Sequence, residues 1–165
     1  MTDVLAERGI LIVENDAAPF NDHYPFHGLT PITEQYAVLP IRDGFNWAER
    51  LREVAEGQWY LVVFRSVRRA TADVDVLTEF DDHAHTEALD AGGLMYYFRG
   101  ELGGDRECLS FCLWETQEQA KAALRLPRHQ AAVRVAREMY ESYLLERYIL
   151  TKRRASAQIE FQHLT

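Results

Sequence analysis

The chain has 165 residues, of which 47% are hydrophobic, enough for one globular domain with a sizeable core. Its 26 Asp and Glu outnumber 18 Lys and Arg, and the formal net charge of -8 repels phosphate backbones and anionic lipid, so we expect neither a nucleic-acid nor a membrane partner. No apolar run approaches the roughly 20 residues that cross a bilayer, and the start MTDVLAERG lacks the basic and apolar regions of a secretory signal, so we expect a cytoplasmic protein.

The first third of the chain has an irregular pattern that is rich in aromatic residues. GILIVEN, residues 9–15, is typical of a short buried strand, and YAVLPI, residues 36–41, predicts another. Asn46 is a candidate cap for a helix of sequence WAERLREVAEG that ends at Gly57. The large rings are too numerous for a disordered tail, so we expect residues 1–57 to form an N-terminal extension that packs on the core or on a partner subunit.

From residue 58 onward the apolar period alternates between strand and helix. The predicted elements are strand 59–69, helix 73–91, strands 93–102 and 107–116, helix 117–143 and strand 144–152. This β-α-β-β-α-β order predicts an α+β, ferredoxin-like domain with an antiparallel sheet over residues 58–153. Residues 154–165 form a C-terminal tail whose apolar residues nearly alternate, as in an edge strand or an arm that reaches a neighbour, unless the terminus is frayed.

The first strand of this predicted domain is apolar on both faces. Tyr60, Val62 and Phe64 point to one side, and Leu61 and Val63 point to the other. Two helices cover only one face of such a sheet, so the second face needs a different cover. The pattern favours a second copy of the sheet.

Several motifs of the predicted domain carry a family resemblance. They are the strand LSFCLWET ending near Trp114, the helix start QEQAKAAL, the break before His129 in LRLPRHQAAV, and the last strand LLERYILTK. Together with the element order they resemble the dimeric α/β-barrel superfamily, and within it the antibiotic-biosynthesis-monooxygenase-like domains. The resemblance spans about residues 58–153 and implies a homodimer with a pocket for a small aromatic or lipophilic ligand. It also implies three kinds of relatives: cofactor-free oxygenases, heme-degrading monooxygenases and proteins without assigned chemistry.

His85 and His129 are the candidate catalytic bases. His85 follows Asp81 by four residues and Asp82 by three, a spacing at which a carboxylate orients an imidazole to take a proton from a phenolic substrate. Ion pairs on a solvated helix face explain the same spacing. The expected walls of the substrate pocket are Tyr97, Arg99 and Trp114.

His129 follows the helix break at Pro127 and, by the resemblance, corresponds in position to the histidine that holds iron in the heme-degrading branch. Two departures oppose heme binding: Gln119 stands where that branch has a tryptophan, and Arg65 or Ser66 stands where it has an asparagine. Capping of the helix turn after Pro127 is the alternative role for this histidine. We expect no cofactor, with heme as the alternative.

The loop around His23 and Tyr24 has the densest set of rings and polar groups outside the core, and we add these two residues to the candidate pocket. His23 and His27, next to Asp22, also have a spacing that could hold a metal. A ring-rich segment that covers the open sheet face or forms a dimer contact accounts for the same composition. We therefore assign no metal site.

The two cysteines, Cys108 and Cys112, lie on one face of a strand at roughly 13 Å from each other, too far apart for a disulfide. No second Cys or His pair with zinc spacing accompanies them, so we expect buried free thiols. The sequence also lacks the GxGxxG, P-loop, GxSxG and CxxC motifs.

Two functions from different classes fit the sequence, and a heme-binding or heme-degrading monooxygenase-like protein is the third alternative. The first is a cofactor-independent monooxygenase or binder of a small aromatic or lipophilic molecule, and whether the chain is an enzyme stays open. The second is a non-catalytic binding or assembly module. An open apolar cavity that reaches a titratable group favours the enzyme, whereas a cavity filled by the chain's own Phe and Tyr favours the module.

Overall fold

A computed structural model of the chain describes residues 25–165. Its strands are β1 (Gly57–Arg68), β2 (Leu94–Phe98), β3 (Glu107–Trp114), β4 (Tyr140–Lys152) and β5 (Ile159–His163), and its helices are α1 (Ile41–Gly44), α2 (Trp47–Arg50), α3 (Val74–Ala91), α4 (Gln117–Ala123) and α5 (Pro127–Met139). The strands form one antiparallel sheet in the order β2-β3-β1-β4-β5. The strand predicted at residues 9–15 lies outside the described residues.

The order of the first four strands is that of the ferredoxin-like unit, and the predicted α+β fold class is confirmed. Helix α3 crosses from β1 to β2, and α4 and α5 connect β3 to β4. The C-terminal tail supplies β5, which pairs with the second half of β4 at the sheet edge. None of the helices within residues 25–165 has the length and apolar composition of a membrane span.

Helix α3 begins and ends where its local signals place it. The Asp73 side chain accepts hydrogen bonds from the backbone N–H groups of Asp75 and Val76, both at 3.1 Å. Gly92 follows the last turn with a φ of 82°, a left-handed conformation that glycine adopts readily. These two caps explain why the prediction of helix 73–91 agrees with the structure within one residue.

The predicted helical stretch over residues 117–143 is divided at the break that the sequence indicated before His129, but its predicted end is wrong, because residues 140–143 belong to a strand. Pro127 has no backbone N–H to donate, so it takes the first position of a new helix, α5. Helix α5 ends at Met139, since Tyr140 onward pairs with the end of β1, where Ser66 lies opposite Tyr143. Pairing with a distant strand therefore outweighs the local helical pattern.

The second face of the sheet, to which Leu61 and Val63 point, is covered by the chain's own residues 26–54, here called the cover segment. Leu61 and Val63 are fully buried beneath it. The cover segment contributes six buried side chains: Phe26, Leu29, Ile41, Phe45, Trp47 and Leu51. It occupies the place where the sequence pattern favoured a second copy of the sheet, because one chain already supplies enough apolar surface to cover this face.

Ring contacts join the cover segment to the sheet. The Phe45 ring centroid lies 5.0 Å from those of Phe98 and Phe111, at interplanar angles of 82° and 89°. The rings of Phe26 and Trp59 make a similar edge contact at 4.9 Å. Edge-to-face pairs of this kind add about 0.5–1.5 kcal/mol each beyond the burial of their area. The cover segment is thus part of the core.

The two elements predicted inside the cover segment are wrong. Residues 36–39 form turns instead of a strand, and the helix predicted over residues 47–57 stops at Arg50. Asn46 explains part of the difference, because its side chain does not cap α2. Its carbonyl oxygen accepts a hydrogen bond from the Thr30 N–H at 2.8 Å, and its amide donates to the Gly28 carbonyl at 3.3 Å, so it holds a loop.

Arg65 ties the cover segment to the sheet. Its Nη1 and Nη2 donate hydrogen bonds to the carbonyls of Ala37 and Leu39 at 2.6 and 2.8 Å. Its Nε lies 2.5 Å from a carboxylate oxygen of Glu146 on β4. A partly buried guanidinium needs hydrogen-bond partners in place of water, and Arg65 obtains them from two separate parts of the chain, the turn at Ala37–Leu39 and β4.

Phe45→Ala is expected to lower the free energy of unfolding by about 3–5 kcal/mol, because removal of a buried ring leaves a cavity between the cover segment and the sheet. Val38→Ala, in the same segment but with 68% of its surface exposed, should change it by less than about 0.5 kcal/mol. Urea unfolding followed by circular dichroism measures both values. A loss for Phe45→Ala as small as that for Val38→Ala would show that the cover segment does not belong to the cooperative core.

Candidate functional site

The other face of the sheet, called the helix face, carries Val62 and Phe64 and is covered by α3, α4 and α5. One end of this layer is apolar and filled by Tyr60, Ala88, Leu94, Cys112, Trp114 and Ala123. At the other end, polar side chains of α3 meet those of β2 and the residue that follows it. This group, called the Asp81 cluster, consists of Asp81, Asp82, His85, Tyr97 and Arg99.

Asp81 is the centre of this cluster. The Tyr97 hydroxyl donates to its carboxylate, with 2.9 Å to each oxygen, and Arg99 Nη2 lies 2.5 Å from Asp81 and 2.6 Å from Asp82. Burial, followed by the Asp81 charge, raises the pKa of Tyr97 well above its ordinary 10.0, so the residue stays a neutral phenol. Burial opposes the charge on Arg99, but the Asp81 charge, the hydrogen bond to Asp82 and the nearby Tyr97 together outweigh it and raise the pKa of the guanidinium.

His85 packs beside Tyr97, with 5.0 Å between the ring centroids. Its Nε2 is buried and has no hydrogen-bond partner among the described residues. Burial lowers the pKa of His85 below its ordinary 6.5 despite the nearby Asp81 charge, so the imidazole is neutral near pH 7. The predicted pairing of this imidazole with Asp81 or Asp82 is not formed in the part of the chain that the structure describes, because Tyr97 and Arg99 bind those carboxylates instead.

His129 lies in the first turn of α5 and is not the cap of that helix. Glu87 of α3 is the cap, since its carboxylate accepts hydrogen bonds from the backbone N–H groups of Arg128 at 3.3 Å and His129 at 2.9 Å. The His129 Nδ1 is buried without a hydrogen-bond partner in the described range, and burial lowers its pKa. The role of Glu87 carries no local sequence signal, because the helix that it caps begins 40 residues later.

Trp114 lies at the apolar end of the helix face, away from the Asp81 cluster. Its Nε1 donates to the Cys112 sulfur at 3.0 Å, and both Cys112 and Cys108 are buried free thiols. Burial raises the pKa of Cys112 to about 12, so the thiol stays protonated and unreactive near neutral pH. The structure thus brings Tyr97, Arg99 and His85 together and places Trp114 in the filled layer.

His23 and Tyr24, the other predicted pocket residues, lie outside the described residues, and their role stays a prediction. Within residues 25–165, no group of three or more His, Cys, Asp or Glu side chains is arranged to hold a metal ion.

Two of the concavities among the described residues have volumes of about 300 and 220 Å³, and neither is lined by the predicted bases. The first has a volume of about 300 Å³ and is lined by Ala48, Glu49, Leu51, Arg52, Lys152, Ala157 and Ile159. The second has a volume of about 220 Å³ and is lined by Phe80, His83, Pro127, Arg128 and Ala131. His85, Tyr97, Arg99 and His129 line neither of them. A bound molecule in either place would not touch the Asp81 cluster.

Comparison with known proteins gives a family match over most of the chain. A family model described as PB2B2.08-like matches residues 12–163. UPF0643 protein PB2B2.08 of Schizosaccharomyces pombe is 28% identical over 135 residues, an alignment that covers 70% of this chain and 60% of that protein. The chain therefore spans about 60% of the length of this curated relative.

Solved structures share the fold at low identity. A candidate antibiotic biosynthesis monooxygenase from Chloroflexus aurantiacus is 16% identical, with a TM-score of 0.46, over 54% of this chain and 89% of that one. A dimeric ferredoxin-like protein of unknown function from Thermobifida fusca is 17% identical, with a TM-score of 0.45, over 55% of this chain and 90% of that one. Monooxygenase-like proteins are thus among the structures similar to this chain, as the sequence resemblance predicted, and the similarity concerns the fold alone.

The partly buried His85 and His129 should make stability fall with decreasing pH. Their pKa values in the folded chain lie below the ordinary 6.5, so below about that pH the unfolded chain binds more protons, and the free energy of unfolding decreases as the pH falls through the folded-state values. Relative to the parent, His85→Gln should reduce this loss. Urea unfolding across a series of pH values measures it.

His83→Gln is the matched control, because it changes an exposed histidine on the same helix. The free energy of unfolding of this variant should depend on pH in the same way as that of the parent. If His85→Gln and His129→Gln both keep the parent's pH dependence as well, the buried imidazoles are not the groups that titrate.

Proposed function

The chain belongs to the PB2B2.08-like family, and on that premise we propose that it is a non-catalytic binding and assembly module. The observation that supports this proposal is that its own side chains cover both faces of the sheet. Phe26, Phe45 and Trp47 fill the space over one face, and helices cover the other. This is the filled arrangement that the sequence analysis associated with the module.

The cost of opening the cover segment supports the same proposal. A ligand that entered over Leu61 and Val63 would have to displace Phe45 and Trp47, which are each 3% exposed. Removal of one such aromatic side chain from a core costs about 3–5 kcal/mol. Binding a small molecule at this face would therefore have to offset a large part of a domain's stability, typically about 5–15 kcal/mol.

The contacts of the Asp81 cluster support a structural role for it. The Asp81 carboxylate is shared between the Tyr97 hydroxyl and Arg99, so its main partners lie within the protein. These contacts join α3 to the end of β2. Arg99 Nε and His85 Nε2 are buried without a hydrogen-bond partner in the described range, so the cluster is satisfied at Asp81, where these contacts fix the position of α3 on β2.

A cofactor-independent monooxygenase is the second candidate function, and the buried, unpartnered Nε2 of His85 favours it. A neutral imidazole there could take a proton from a small aromatic substrate, whose electrons would then reduce dioxygen. In this reading His129 is the second base, and Tyr97, Arg99 and Trp114 are the walls. It requires that the helix layer open to admit the substrate.

The residues around His129 do not fit heme. Its backbone N–H is held by Glu87, and its Nδ1 is enclosed by protein. The nearby concavity of about 220 Å³ is lined by Phe80 and Pro127 but not by His129. We therefore derive no step through heme.

Oxygen-electrode traces with the purified chain and a panel of polyphenols are expected to stay at the rate of buffer, because the described cavities do not lead to His85 or His129. Sustained oxygen uptake would overturn the non-catalytic proposal. His85→Ala and His129→Ala then assign the base: uptake that one variant abolishes identifies it, and uptake that survives in both rejects these two roles.

Titration of the chain with hemin should give only the absorbance spectrum of free hemin. A new Soret band that disappears in His129→Ala would contradict this expectation and support the heme alternative. His83→Ala serves as the control, since it removes an exposed histidine from the neighbouring helix.

A further inference from the structure

Strand β4 has an edge that no other strand covers within residues 25–165. Its whole length pairs with β1, but β5 pairs only with Tyr148–Lys152. One further hydrogen bond, from the Leu164 N–H to the Arg147 carbonyl at 2.8 Å, extends this second pairing. Among the residues that the structure describes, no strand pairs with this edge at residues 142–146, so its outward backbone groups are a template for another strand.

The side chains at this edge are apolar and exposed on both faces. Leu144 is 58% exposed on the covered side of the sheet, and Tyr143 is 42% exposed on the helix face. The stretch SYLLE contains neither proline nor lysine, the residues that commonly protect a free edge. A strand edge with these properties tends to pair with another strand, because exposed apolar edges otherwise promote aggregation.

The backbone direction at this edge follows from the contact with β5. The Arg147 carbonyl points away from β1 and toward Leu164. Because successive residues of a strand alternate, the N–H and C=O of Tyr143 and Leu145 point the same way, while those of Leu144 point to β1. The free edge thus has two donors and two acceptors, on Tyr143 and Leu145.

We propose that the occupant is a second copy of this chain, paired antiparallel about a two-fold axis at Leu144. In this register Tyr143 lies opposite Leu145 of the partner subunit, and the reverse pair follows by symmetry. Each pair exchanges two backbone hydrogen bonds, so all four free groups of each copy are satisfied. The two Leu144 side chains meet on the axis. The second copy is thus the assembly partner of the non-catalytic module, and this assignment rests on the proposed function.

The structure limits the register at both ends. The ladder of β1 and β4 is irregular between Val67 and Arg68, where Glu141 is the extra residue of a bulge. At the other end, the Arg147 carbonyl already accepts a hydrogen bond from the Leu164 N–H. The pairable segment is therefore residues 142–146, which is symmetrical about Leu144. If the register moved by one residue, the backbone N–H and C=O groups that point to the partner would lie opposite residues whose backbone groups are already hydrogen-bonded to β1.

Charge also favours a second copy over an unrelated strand. Glu141, which pairs with Arg106 of its own chain at 2.8 Å, flanks the segment on one side and Arg147 flanks it on the other, and the antiparallel register places Glu141 of one copy beside Arg147 of the partner subunit. Within the segment Glu146 lies opposite Ser142, so no like charges meet. The segment is short, so the dimer should be weaker than interfaces that bury roughly 1,200 Å² or more.

Sedimentation velocity of the full chain over a range of concentrations is expected to show a reversible monomer–dimer equilibrium. Leu144→Lys places two ammonium groups on the axis and should raise the dissociation constant at least about tenfold. Val38→Lys is the matched control, because it changes another exposed apolar residue, 68% exposed and in the cover segment, and should leave the equilibrium unchanged.

Cross-linking gives an independent readout. Directly opposite residues of a non-hydrogen-bonded pair have Cα atoms about 4.5 Å apart, within disulfide range, so Leu144→Cys should form a covalent dimer on mild oxidation. Leu102→Cys, 45% exposed and outside the edge, should not. The native Cys108 and Cys112 are buried and should not contribute.

A chain that stays monomeric at every concentration, or a dimer that Leu144→Lys leaves intact, would overturn the inference. Monomers whose Tyr143 and Leu145 amides resist hydrogen exchange would overturn it too, because another part of the chain then occupies the edge. If Leu144→Lys fails to fold, the cross-link of Leu144→Cys decides. The oxygen-uptake measurement does not depend on these outcomes. Oxygen uptake would contradict the non-catalytic role, but it would not contradict the dimer interface.

Discussion

A sheet that is apolar on both faces has to exclude water from both, and this requirement governs the whole structure. Leu61 and Val63 are fully buried on one side of β1, and Tyr60 is 3% exposed on the other. Burial of apolar surface contributes about 25 cal/mol per Å², so an open face of this sheet would forfeit much of the stability of the domain. Helices exclude water from one face and the cover segment excludes it from the other, so the packed layers leave little space for a ligand.

The polar groups at this end of the helix face are partly exposed, with 39% of the Asp81 side chain and 31% of the Arg99 side chain accessible. Arg99 and the Tyr97 hydroxyl bind Asp81, and burial lowers the pKa values of His85 and His129, which keeps both imidazoles neutral near pH 7. The contacts of Asp81 with Tyr97 and Arg99 hold these side chains in fixed positions. The same neutral imidazoles would suit proton transfer if a substrate could reach them, so access and not the identity of the side chains separates the two candidate functions.

The edge of the sheet is where the covering is incomplete. The cover segment and the helices shield its faces, but within residues 25–165 no strand pairs with residues 142–146, beside exposed Leu144 and Tyr143. Since the face that pointed to a partner in the sequence is filled from within the chain, the proposed dimer uses the edge of the sheet instead of its face.

Within residues 58–153 the sequence by itself determined the order of strands and helices, the limits of α3 and the two-sided apolar character of β1, because periodicity and capping residues act within a few positions of the chain. Only the tertiary structure decided that residues 26–54 cover the sheet, that Asp81 binds Tyr97 and Arg99 instead of His85, and that the strand β4 begins at Tyr140. Each of these depends on contacts between residues far apart in sequence, such as Arg65 with Ala37, and no local pattern distinguishes a cover made by the same chain from one made by a second copy.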